Sequence, residues 1–314
     1  MAFHKIFRKN TEDKMTKIKS LGKYLRRFRI FKQIDAIRRA VEQPQQIQDN
    51  SLRHIYWLLS DMHKAQVLSQ PKFADKKRLE PFGFKVYSQN EEDGMIAEIF
   101  NRIGTTNRFF IEFGVQDGLE CNTHFLLFQG WEGVFMEGSA EYCEKIRENF
   151  ALPLANGKLT LLNSFITAEN INNLISQTKA KDLVEIDLLS IDIDGNDYHI
   201  FNAISVIKPR VIVIEINAKF PPPTEYIMPY NPTHIWDGSD IQGVSLESLT
   251  KLANQKGYNL VGTDLKGVNA FFVRKDLCKD KFVADCSARN LYNPWRAIDG
   301  ITGHASKYFL ENAK

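Results

Sequence analysis

A chain of 314 residues with 43% apolar and 25% charged residues has the make-up of a folded globular protein, which excludes a disordered or low-complexity chain. The net charge of +3 hides an asymmetry: residues 1–40 hold thirteen Lys/Arg against three Asp/Glu, a net of +10, so the other 274 carry −7. No apolar run approaches the ~18 residues of a membrane span, and no signal-peptide core stands near the N-terminus. Cys121, Cys143, Cys278 and Cys286 show no C-x-x-C pairing, the pattern of reduced thiols, and a cytoplasmic location is expected.

Met15, Ile18, Leu21, Leu25, Phe28, Ile34, Ile37 and Val41 recur at steps of mostly three and four, which predicts an amphipathic helix over Lys14–Val41. Its other face carries Lys17, Lys19, Lys23, Arg26, Arg27, Arg29, Arg38 and Arg39. Such a helix lies on an anionic membrane surface, packs on a partner or on a second copy, touches nucleic acid, or packs on its own body with a solvated basic face. The first option places the protein at the inner face of the membrane. Pro44 and a glutamine-rich stretch separate it from a second predicted helix, Ser51 to about Leu68. Pro71–Phe84 reads as a linker, so residues 1–84 form a basic helical extension, 85–277 the body and 278–314 a C-terminal extension.

The body opens with capping groups in Ser88–Asp93 and a helix through about Ile103. Phe109–Phe113 is a buried strand, Gly114 and Gly118 bracket a turn, and Thr123–Gln129 begins a helix. Val134–Gly138 is the next strand, with Glu137 near its end, followed by a helix at Ala140–Phe150. A strand at Lys158–Leu162 is closed by Asn163 and Ser164, and a helix at about Asn170–Thr178 leads to a strand at Leu188–Asp192. After a helix at Tyr198–Val206, Arg210–Glu215 is the plainest strand in the chain. A proline-rich insertion, Phe220–Gly243, breaks the rhythm, and Leu246–Lys256 restores it as helix. Tyr258–Gly262 and Val268–Arg274 are joined by only Thr263–Gly267, which suits an antiparallel hairpin and cannot hold a crossover helix. The alternation predicts an α/β fold, a parallel sheet with both faces covered.

In open α/β sheets ligands bind beyond the carboxyl ends of the strands. Glu112, Gly114, Asp117 and Gly118 stand at the first such end, where a glycine turn lets backbone approach a ligand. Glu137 is at the second, 25 residues after Glu112, where an acid accepts hydrogen bonds from ribose hydroxyls. Asn163 and Ser164 stand at the third, Asp192 and Asp194 at the fourth, Glu215 and Asn217 at the fifth. Asp194 with Glu215 or Asn217 supplies oxygen ligands of the kind Mg²⁺ takes, unless the acidic loop instead caps the following helix. His199 and His234 are candidate bases near neutral pH, the latter inside the insertion.

These residues together resemble class I S-adenosylmethionine-dependent methyltransferases, and more narrowly the FkbM-type family of sugar, polysaccharide and natural-product pathways. The resemblance covers about Tyr87–Leu277. It rests on Phe110-Ile-Glu-Phe-Gly-Val-Gln-Asp-Gly118, Glu137, Ile191-Asp-Ile-Asp-Gly195, Val213-Ile-Glu-Ile-Asn217 and Gly267-Val-Asn-Ala-Phe-Phe-Val273. It implies a seven-stranded Rossmann-like sheet of order 3-2-1-4-5-7-6 with strand 7 alone antiparallel. Carried over, Glu112, Gly114 and Asp117 line the methionine part of the cofactor, Gly118 and Asp192 complete the cofactor-binding set, Glu137 takes the ribose, and Asn163 or Ser164 stands near adenine. Asp194 or His234 acts as catalytic base, and Asp194, Glu215 and Asn217 are the metal set. Two departures are visible: Gln116 holds the place of the usual middle glycine, and Ile216 follows Glu215 where metal-dependent relatives carry adjacent acids. No Asp/Asn-Pro-Pro-Tyr/Phe motif follows strand 4, which argues against a nucleic-acid acceptor and for a small molecule or glycan. An NAD-dependent oxidoreductase and a non-catalytic binding or tethering protein are the alternatives.

Overall fold

The computed structural model describes Ile55, residues 58–183 and residues 185–296. The predicted helix Lys14–Val41 and residues 297–314 lie outside the described residues. The chain divides into two units, 1–65 and 66–314. In the first, residues 58–65 are helical, and Leu58, Leu59 and Met62 are exposed.

Seven strands form one sheet in the order β3-β2-β1-β4-β5-β7-β6. They are β1 Phe109–Phe113, β2 Glu132–Glu137, β3 Leu159–Asn163, β4 Glu185–Ile191, β5 Lys208–Glu215, β6 Tyr258–Thr263 and β7 Asn269–Arg274. All neighbours are parallel except β7, which runs antiparallel to both β5 and β6. The order and the reversed last strand are those expected. The reason is local: Asp264–Val268 is too short to carry the chain back across the sheet.

Strand residues alternate between two cores. Ile111, Phe113, Val134, Met136, Leu189, Ile191, Ile212 and Ile214 pack on one face, with the helices Ile171–Ser176, Asp197–Ala203 and Leu246–Gln255. Phe110, Phe135, Leu188, Val211, Val213 and Phe271 pack on the other, with Glu92–Ile103 and Ala140–Asn149. Helix ends carry local signals: Ser139 and Ser245 accept from Tyr142 N–H and Ser248 N–H at the starts of their helices.

Two expected boundaries shift. The stretch Pro71–Phe84 belongs to the second compact unit, because Phe73 and Leu79 are buried and Leu79 joins the core with Met95 and Val261. Residues 278–296 also belong to this unit: Leu291 is buried and Asn293 donates to Thr263 O and to Glu80 Oε1. A buried ion pair, Arg210–Asp187 at 2.6 Å, closes the bottom of the sheet. Asp187 also accepts the N–H groups of Thr106, Asn107 and Arg108, so the turn entering β1 is fixed by one carboxylate.

Candidate active site at the carboxyl ends of the strands

The chain turns out of β1 at Gly114, whose φ is +70°. A Cβ there would lie 1.7 Å from the carbonyl oxygen of Asp192, so only glycine lets the ends of β1 and β4 come this close. Gly118 is also left-handed, and a Cβ on it would strike the Phe150 ring. Between them Gln116 holds φ +50° despite its side chain. Across the site Asp194 holds φ +57°. Left-handed backbone at a non-glycine residue costs on the order of 1 kcal/mol and persists where the surroundings impose it. Both residues line the site, which is where such strain concentrates.

Glu137 is 8% exposed at the end of β2. Its Oε2 accepts the Gln116 N–H at 2.9 Å and its Oε1 the Ser139 N–H at 2.8 Å. Each carboxylate oxygen has room for a second donor, so Glu137 is held in place with one acceptor position per oxygen to offer. It faces a cavity of about 440 Å³ lined on one side by Met136, Phe165 and Ile166 and on the other by Asp194, His234 and Trp236. Asn163 and Ser164, expected near adenine, do not line it: Asn163 Nδ2 donates to Glu137 O, and Ser164 N–H donates to the same carbonyl. The residues just after them, Phe165 and Ile166, take the apolar wall. No sequence signal separated these four, because the polar pair is spent on joining β3 to β2.

A second cavity, about 580 Å³, shares Gly114, Gln116 and Asp194 with the first. Glu112 and Asp117 line it, but Glu112 is also a fastener. Its carboxylate accepts Asn122 N–H, Thr123 N–H, Thr123 Oγ1–H and Ser190 Oγ–H, fixing the start of the helix His124–Phe128. Burial lifts its pKa to about 6 although those donors pull it down.

Asp192, Asp194 and Glu215 present carboxylate oxygens within 4.8 Å of one another. Burial raises all three pKa values, and for Asp192 and Glu215 the neighbouring acids raise them further. Asn217, expected in this set, is not in it. The strand ends at Glu215, so alternation no longer puts residues 215 and 217 on one face. Asn217 instead donates to Asp240 O and Gln242 O and holds the insertion. The loop is closed by Asp197, the first residue of the following helix, which accepts Ile193 N–H and Gly195 N–H, with its pKa pushed up to about 6 by burial. Oxygen donors of this type fit a hard divalent cation.

His234 Nε2 lies 3.2 Å from the carbonyl oxygen of Asp194, so it carries the proton and donates, leaving the ring's lone pair on Nδ1. The ring packs against Gly195, where a Cβ would meet it at 2.5 Å. His199 is drawn off to Met228 O at 2.8 Å and lines neither cavity. Asp194, which lines both cavities, is thus the acid best placed to take a proton.

No family model matches the chain, and no curated protein matches it. Among solved structures it is similar to a Staphylococcus aureus protein assigned as a caffeoyl-CoA O-methyltransferase, at 13% identity, covering 70% of this chain and 98% of that one, TM-score 0.41. An O-methyltransferase from Bacillus cereus in complex with SAH gives 16% identity, 70% and 95% coverage and TM-score 0.40. A Podospora anserina methyltransferase, also SAH-bound, gives 16% identity, 60% and 80% coverage and TM-score 0.39.

Proposed function

We propose that this chain is an S-adenosylmethionine-dependent methyltransferase acting on a hydroxyl of a sugar, polysaccharide or natural product, in line with its FkbM-type resemblance. The observation that carries the reading is Glu137: a carboxylate fixed by two backbone N–H groups, with one free acceptor position per oxygen, beside an apolar-walled cavity. That geometry suits the two hydroxyls of a ribose, with Phe165 and Ile166 against the base. Gly114 and Gln116 then lie between the two cavities, where the methionine part and the sulfonium would cross.

The bound cofactor supplies an electrophilic methyl group. The chain's part is to hold an acceptor oxygen in line with it, which supplies much of the rate. With the cofactor bound, a new O–CH₃ bond would form as the S–CH₃ bond breaks, its electron pair staying on sulfur, and Asp194, which burial makes more basic than an exposed aspartate, would take the hydroxyl proton. Asp194 would then return the proton to water. A second reading places a divalent cation such as Mg²⁺ on Asp192, Asp194 and Glu215, favoured by their 4.8 Å grouping; it would lower the pKa of the hydroxyl.

Calorimetry with S-adenosylhomocysteine and with NADH tests the main reading. Binding of the first alone is expected, and binding of NADH alone would move the protein to the oxidoreductases. Methyl transfer that survives exhaustive chelation would end the cation reading. The basic N-terminal segment we assign to an anionic membrane surface or to self-association, on its charge and periodicity; among the described residues no helix is long and apolar enough to cross a membrane.

A further inference from the structure

The second cavity has an unusual charge. Glu112, Asp117, Glu120, Asp192, Asp194 and Glu215 line it, and among the described residues no lysine or arginine lines either cavity. Its deep end lacks partners: the buried Oε2 of Glu215 has none, and neither has Oδ1 of Asn269, a residue 2% exposed that also lines the cavity. Glu215 and Asn269 are paired across β5 and β7, so their side chains stand side by side on one face. Asn269 is oriented by its own amide, which donates to Glu92 Oε1 at 2.9 Å and leaves the carbonyl oxygen for the cavity. Both waiting groups are acceptors.

These acceptors lie away from the cofactor turn. With neighbouring strands ~4.8 Å apart, β5 is roughly 10 Å and β7 roughly 14 Å across the sheet from β1. Their occupant therefore belongs to the acceptor side of the cavity. A phosphate, sulfate or carboxylate would meet only like charge there. A lone divalent ion would engage three carboxylates and leave the acidic lining beyond them unanswered, whereas a multi-donor cation answers a wide field of acceptors.

We infer that the methyl acceptor is a cationic amino-polyol, an amino sugar or an oligomer of one, whose ammonium group is held by Asp192, Glu215 and Asn269 while a hydroxyl of the same molecule faces Asp194. An ammonium has three N–H donors and no acceptor, which matches three acceptor side chains. The inference rests on the methyltransferase reading and competes with magnesium for the same carboxylates.

The test is calorimetry on the full-length protein saturated with S-adenosylhomocysteine, in chelator, with a glucosamine dimer, its N,N′-diacetylated form and glucose 6-phosphate as probes. The dimer is expected to bind about tenfold more tightly than the acetylated form, and the sugar phosphate more weakly than either. Glu215→Gln should shrink that preference severalfold while leaving the affinity for S-adenosylhomocysteine near wild type and without lowering the melting temperature of the saturated protein. Equal binding of the two dimers, or of neither, overturns the inference while leaving methyl transfer standing. So does Mg²⁺ at micromolar concentration displacing the amine, which returns the cluster to a metal. No binding of S-adenosylhomocysteine sinks the methyltransferase reading and this one with it.

Discussion

Gly114 and Glu137 set the site from opposite sides, one by having no side chain and one by the fixed direction of its carboxylate. In Gly114→Ala the new methyl must displace the Asp192 carbonyl and tolerate φ +70°, for an expected loss of about 2–4 kcal/mol by urea denaturation. A variant as stable as the wild type would mean that the ends of β1 and β4 do not touch as described. Glu137→Ala removes a charged acceptor whose hydrogen bonds to a diol are worth about 1.5–3 kcal/mol each. At least a tenfold weaker affinity for S-adenosylhomocysteine is expected, and an unchanged dissociation constant would take Glu137 out of the cofactor site. Both residues were legible in the sequence because a glycine or an acid closes a buried strand. Phe165, Asp197 and Asn269 were not. Asn269 joins the site only through the β5–β7 register, and Asn217 left it because β5 stops two residues earlier. Which of two polar residues faces a cavity is a matter of long-range pairing, and period-two alternation is silent beyond the strand's last residue.

At the scale of elements, the sheet was readable from hydrophobic runs and short connections, whereas the insertion after β5 was not, having no period to read. Side-chain ties to the body hold it. Asn196 Nδ2 donates to Asn231 O at 2.7 Å, and Asn231 N–H donates back to Asn196 Oδ1. The Tyr230 hydroxyl accepts from Ala168 N–H and donates to Glu169, and Asn217 spans Asp240 and Gln242. Since His234, Ile235 and Trp236 line the first cavity, this segment forms one of its walls, with Ile235 80% exposed on the lip. Asn196→Ala deletes two of its ties, each worth about 0.5–1.5 kcal/mol. The expected result is faster hydrogen exchange across residues 228–236 with β4 and β5 protected as before. S-adenosylhomocysteine should slow that exchange. Identical protection in the variant would show that the Asn196 ties do not hold the segment. The same holds for the expected linker before the body: its charges and prolines read as a spacer, while Leu79 is in fact core.

Across the whole molecule charge is divided by region, and each part makes its own prediction. Every residue that lines the two cavities belongs to the second unit, so a chain starting at Gln66, the first residue of that unit, should bind S-adenosylhomocysteine as the full chain does. Sedimentation with anionic vesicles and light scattering should change instead, since each Lys or Arg near such a surface contributes about 1 kcal/mol. No change in either would end both the membrane and the self-association assignments. The body's own charge acts on stability. Burial raises the pKa of Glu112 and Asp197 to about 6 and of Asp264 to about 7, and raises Asp192, Asp194 and Glu215 as well. In the unfolded chain these acids ionise near 3.8 for Asp and 4.5 for Glu. Between those values and about 7 the folded protein therefore holds more protons than the unfolded one, and stability falls as pH rises through that window. The paired carboxylates whose pKa values are lowered, such as Glu132 and Glu141, act the other way, but they lie at the surface, where solvent screens them. The melting temperature of the ligand-free protein is thus expected to drop by several degrees between pH 5.5 and 7.5, the reverse of the usual carboxylate trend. A cationic ligand at the acidic cavity should restore part of the loss at pH 7.5 and little at pH 5.5, because it favours the ionised acids. Calorimetric melting across that range decides it: a curve that is flat or rises with pH would mean that these carboxylates are solvated in the folded protein, and the acidic cavity with them.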